Sequence, residues 1–179
     1  MTSNIINQRK ILEPVNFGLC ITAQDYFRAA MSLKQSNIGG KPYYVLLSLS
    51  IECYLKSIKT TVTYQGSIGV NVSHIRLKSH NLNQLFRAVK EAHPDEANYL
   101  EKQYQVKFNT SFIEDIASIA EVFDKQRYPY PKSGNVPSPK FPSNPFKRVK
   151  NDNSIEVNIT ALENIAAFLF QTVQFDGLH

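Results

Sequence analysis

Residues 42–64, PYYVLLSLSIECYLKSIKTTVTY, decide the fold. This is the longest apolar segment of the chain, and it carries Glu52 and Lys56 inside it. On a helix at roughly 100° per residue, Tyr44, Leu47, Ile51, Tyr54, Leu55 and Ile58 share one face. Val45, Leu46, Leu49 and Cys53 cover much of the rest. A helix apolar nearly all round is a central one, wrapped by others. It does not span a membrane: the uncharged run is too short, and Glu52 would sit in lipid. Glu52 and Lys56 stand one turn apart, in the favourable order for an ion pair. In a central helix both need partners. Two readings stand side by side: a structural ion pair that fixes helix register, or the floor of a polar pocket.

Before this stretch, NIGGKP is a break, with Gly39 and Gly40 ending one helix and Pro42 opening the next. The earlier helix is capped by Thr22 or Asp25 and runs to about Ser36. Residues 1–21 read as an N-terminal extension, with NFGLCI as a short extended piece on the core. After Lys59 the central helix frays, because Thr60, Thr61, Val62 and Thr63 weaken helical preference. Gln65 to Ser79 is a loop with room for a short hairpin.

Further on, His80 or Asn81 caps a helix that buries Leu82, Leu85, Phe86 and Val89, and Pro94 stops it. PDEANYLEKQYQ opens another, with acids in its first turn. Ser111 with Glu114, and Thr160 with Glu163, form capping-box patterns, each before an apolar helical stripe. SIEVNI, just before the last helix, reads as a short strand. Between those helices lies a stretch with six prolines after Arg127, which neither helix nor central strand accommodates. The expected fold is therefore all-α: an antiparallel helical bundle of five or six helices, one domain over 22–179. A long Pro-rich basic loop, 128–158, precedes the last helix.

A chain of 179 residues supports one core without disulfides, and Cys20 and Cys53 read as reduced and buried. MTSNIINQRKILEP has no apolar core for a signal peptide, so the expected location is cytoplasmic. The net charge of +5 suits an anionic partner and is unevenly spread. From Lys125 to Lys150 the chain has Lys125, Arg127, Lys132, Lys140, Lys147, Arg148 and Lys150 and no acid. With Tyr128, Tyr130, Phe141 and Phe146 interleaved, this loop fits a phosphate backbone with stacked bases. It equally fits a solvated loop whose aromatics pack on the bundle. His74 and His80 lack further ligands at metal spacing, GSIG and NIGG lack the Lys-Ser or Lys-Thr of a phosphate loop, and no GxSxG is present. No metal and no cofactor is expected.

Three pieces, SIECYLKSIKT at 50–60, SHNLNQLF at 79–86 and DKQRYPYP at 124–131, stand in an order that resembles bacterial members of the HEPN superfamily. The resemblance covers about residues 22–175. It implies an antiparallel helical bundle, usually dimeric, that binds a nucleotide or RNA, with Glu52, Lys56, His80, Arg127 and Tyr128 as ligand-binding residues. Many members are metal-independent ribonucleases of toxin–antitoxin and phage-defence systems, and others are non-catalytic. The ribonucleases use an Arg and a His separated by four to six residues. Arg87 and His93 match that spacing, but Ala88 stands where the family has a polar residue. The leading reading is a nucleotide- or RNA-binding module in which Arg87 and His93, the candidate catalytic residues, do not form a catalytic pair. The alternatives are a metal-independent endoribonuclease of the same fold, and a protein–protein module docking a partner such as an antitoxin through the Pro-rich loop.

Overall fold

The structure is a computed structural model that describes residues 8–37, 40–66, 68–75, 77, 80–127 and 157–179. In chain order it has β1 (Gln8–Val15), α1 (Phe17–Gln35), α2 (Lys41–Ser57), β2 (Ile58–Gln65), β3 (Ile68–Ser73), α3 (Leu82–Ala92) and α4 (Pro94–Phe108). There follow α5 (Phe112–Ser118), α6 (Val122–Gln126), α7 (Ile159–Thr172), β4 (Val173–Gln174) and β5 (Gly177–Leu178).

The expectation of an all-α bundle is corrected. The helices pack around α2, which touches α1, α3, α6 and α7, but an antiparallel sheet in the order β1-β2-β3 stands beside them. A second antiparallel pair joins β4 and β5. The decisive difference is at Ile58. The stretch read as a fraying helix end is a strand, because its β-branched residues find partners on both sides. Val62 lies opposite Ile11 of β1 and Val72 of β3. Gly66, at φ 64°, makes the turn between β2 and β3. One sheet face is buried through Val15, Ile58, Thr60 and Val62, while Lys10, Leu12 and Pro14 on the other are exposed.

Residues 8–21, expected outside the domain, supply β1 and the first turns of α1. NFGLCI is helical, not extended, because the Asn16 side chain caps α1 by accepting from the Leu19 N–H at 3.0 Å. Asn16 also donates its backbone N–H to Ser57 O at 2.7 Å, which fastens the start of α1 to the end of α2. α7 likewise opens on Asn158 rather than Thr160. Glu163, read as a capping-box partner, instead accepts from Tyr43 Oη at 2.7 Å and pairs with Lys34 at 2.8 Å. The helix expected from Ser111 to Phe123 is two, α5 and α6, with a corner at 119–121. The Pro-rich loop at 128–156, with the first three residues of SIEVNI, lies outside the described residues; of the other three, Val157 and Asn158 are in no strand and Ile159 opens α7, so the strand expected there is corrected.

The core holds Leu47, Ile51, Tyr54 and Leu55 of α2 against Phe86, Tyr104, Phe112 and Phe168 of the surrounding helices. Tyr104 meets Phe112 and Phe168 edge-on, at centroid distances of 5.1 and 5.2 Å. Such aromatic edges add to the burial that holds the bundle. Among the described residues no helix is long and apolar enough to cross a membrane.

Candidate functional site

The central helix presents one buried acid. Glu52 is 6% exposed, and both its oxygens are taken. Lys56 Nζ donates to Oε1 at 2.5 Å, one turn further along α2. His80 Nδ1 lies 2.7 Å from Oε2. Against the Lys56 ammonium Glu52 acts as an acceptor, so Nδ1 carries the proton of that bond. The other ring nitrogen, Nε2, makes no hydrogen bond among the described residues, and the His80 side chain is 38% exposed.

Local structure explains why His80 reaches Glu52. Asn81, not His80, caps α3, accepting from Gln84 N–H at 2.9 Å. That leaves the imidazole for a tertiary contact. The next backbone N–H, Leu82, donates to Ala120 O at 3.0 Å, in the corner between α5 and α6. This bond ties the start of α3 to the start of α6. It brings the His80 ring to 4.0 Å, centroid to centroid, from Phe123. The Arg127 guanidinium lies 5.2 Å from the same Phe123 ring, at cation–π distance.

The structure thus brings together Glu52, Lys56 and His80 by direct bonds, and Arg127 joins them through Phe123. Tyr128 and the basic-loop residues Lys132, Lys140, Lys147, Arg148 and Lys150 lie outside the described residues. Arg87 is exposed on α3, and His93 is partly exposed at the corner where α3 ends and α4 begins. His93 stands one residue past α3 with φ −141° and ψ 66°, so the helical spacing that would relate it to Arg87 does not hold there. The residue that sequence reasoning missed is Phe123, read only as part of an apolar stripe. Its position shortly before Arg127 is the one available signal, and the turn at 119–121 between α5 and α6 that aims it was hidden.

Neighbouring groups limit the chemistry. Burial, and then the Glu52 charge, push the Cys53 thiol up to about 11, while Lys56 pulls the other way. At neutral pH Cys53 is therefore a poor nucleophile. Among the described residues no cluster of His, Cys, Asp and Glu is arranged to hold a metal ion.

A separate cavity of about 280 Å³ is lined by Pro14, Lys59, Asp95, Glu96, Tyr99, Gly177 and Leu178. It lies between the sheet and α4 and includes none of the residues the sequence singled out. Lys59, the cation in its lining, is bound to Glu96 at 2.6 Å. Its backbone φ of 46° marks the sharp passage from α2 to β2. This pair reads as a clasp between β2 and α4.

No protein-family model, curated protein or solved structure matches the chain.

Proposed function

We propose that this chain is a HEPN-like domain that binds a nucleotide or RNA at the cluster of Glu52, Lys56, His80 and Arg127. One observation supports the reading. The three separated pieces that resemble the family, at 50–60, 79–86 and 124–131, meet: Glu52 holds His80, and His80 and Arg127 share Phe123. A buried acid held by two basic side chains on one helical bundle fixes cationic groups at a surface where an anion is attracted. The resemblance extends the proposal to a cytoplasmic homodimer in a toxin–antitoxin or phage-defence setting, with a partner protein such as an antitoxin. A metal-independent ribonuclease of the same fold is the alternative, but nothing in the placement of Arg87 and His93 favours it.

The test is fluorescence anisotropy with labelled single-stranded RNA, competed by free nucleotides, across a salt series. Wild-type binding should weaken steadily with salt. Arg127→Ala should weaken it by roughly tenfold or more, on the scale of one lost charge-assisted contact. Absence of binding by any RNA or nucleotide, or full binding by the variant, refutes the proposal. Light scattering at micromolar concentration separates dimer from monomer.

A further inference from the structure

The cavity between the sheet and α4 lies apart from the Glu52 cluster, and its lining divides by chemistry. Pro14 of β1, Tyr99 of α4 and Leu178 of β5 form an apolar wall. The charged part of the lining is Lys59, Asp95 and Glu96, so two carboxylates stand against one ammonium. Lys59 is committed, with its Nζ 2.6 Å from Glu96 Oε1. The second Glu96 oxygen, Oε2, is buried and has no hydrogen-bond partner among the described residues. The exposed Asp95 side chain makes no hydrogen bond or ion pair among them either. Water can serve Asp95, but a buried acceptor without a donor is costly.

Sign and size narrow what could serve these oxygens. α4 opens without a side-chain cap, and an uncapped helix start ordinarily attracts an anion. Here Asp95 and Glu96 occupy that first turn, where the helix dipole favours their charged form. An incoming anion would meet both acids, with the one lysine already neutralised. A cation instead meets the excess carboxylate. A bare metal ion is poorly served, because no third acidic, His or Cys ligand stands with this pair among the described residues. The volume of about 280 Å³ sits at the lower edge of the roughly 300–1,000 Å³ usual for small-molecule sites, so the ligand is small.

From this lining we propose that the cavity binds a small primary alkylammonium compound, its nitrogen at Asp95 and Glu96 and its chain against Pro14, Tyr99 and Leu178. An ammonium carries three N–H donors, enough for one to each carboxylate and one to water. A small turn of the Glu96 carboxylate, which Lys59 can follow, brings Oε2 to the ligand. An aromatic wall such as Tyr99 adds attraction for a cation over its face. The site is separate from the nucleotide- or RNA-binding cluster, and neither depends on the other.

Amide chemical shifts of isotope-labelled protein test this with butylammonium chloride as the probe, beside butanol, sodium butyrate and ammonium chloride at matched ionic strength. Butylammonium should produce saturable shifts at Asp95, Glu96, Tyr99 and Leu178, with a Kd on the order of millimolar. Butanol and ammonium each carry half of the ligand and should bind at least about fivefold more weakly, and butyrate should not bind. Asp95→Asn removes the charge of an exposed side chain that holds nothing else, so the fold is kept; affinity should fall by roughly tenfold. Absence of saturable shifts at these amides overturns the proposal. Equal binding of butanol, which would show an apolar pocket only, overturns it as well. So does equal binding of ammonium chloride, which would show a cation at surface acids only. Full affinity in Asp95→Asn, in protein melting like the wild type, refutes it too. RNA anisotropy is read separately, so a failure here leaves the nucleotide- or RNA-binding reading standing.

Discussion

Removing the Glu52 carboxylate should cost more stability than removing any exposed acid of this protein. Glu52→Ala strands Lys56, which is 17% exposed, and leaves His80 Nδ1–H without its acceptor. Breaking a fully buried pair costs about 3–5 kcal/mol. His80 is 38% exposed, so water recovers part of its bond, and we reduce the expectation to about 2–4 kcal/mol. For a chain of this size each kcal/mol shifts the melting temperature by about 2–4 °C, giving a drop of about 4–16 °C. Glu52→Gln, which keeps the shape and one acceptor, should lose about half as much. Scanning calorimetry at neutral pH measures both. Glu52→Leu with Lys56→Met removes both charges and fills the space, and should be more stable than Glu52→Ala alone. A Glu52→Ala melting temperature within about 1 °C of the wild type would show that the pair is not buried as described.

Three further outcomes are expected. Tyr104 is fully buried and donates to Asp115 at 2.7 Å, so Asp115→Ala should cost about 1–3 kcal/mol in urea denaturation; Tyr104→Phe in that background should recover part of it. Burial raises both thiols, Cys20 as well as Cys53, so Ellman's reagent at about pH 8 should find no fast-reacting cysteine until the protein is unfolded. Burial pushes the Glu163 carboxyl up, but the bonds from Lys34 and Tyr43 outweigh it and hold it below its ordinary 4.5. A lowered folded value contributes stability that is present above 4.5 and is lost as pH falls through the folded value. The melting temperatures of wild type and Glu163→Gln should therefore differ at neutral pH and converge in acid below that range. A gap that widens on acidification would contradict the sign.

The sequence by itself determined the parts whose signals are local. The apolar set from Tyr44 to Leu55 and the four-residue step from Glu52 to Lys56 follow from helical period, and the structure has them on one central helix with Glu52 and Lys56 in direct contact, although Ile58, read into the same set, begins β2. The stripe of Leu82, Leu85, Phe86 and Val89 was legible for the same reason, whereas the cap, open in sequence between His80 and Asn81, is Asn81. Only the tertiary structure decided the sheet. Ile58 to Gln65 has mixed local preference, and it becomes a strand because Gln8–Val15, far earlier in the chain, pairs along it. Sequence also named Glu163 as a cap partner, whereas its bonds run to Lys34 and Tyr43, 129 and 120 positions away. The candidate site divides the same way. Glu52 and Lys56 are joined by spacing alone, but His80 reaches Glu52 across 28 positions. It does so because Leu82 bonds to Ala120 and sets the ring on Phe123. Periodicity reports which face of an element is apolar; which buried polar group meets which is set by the packing that leaves each with one available partner.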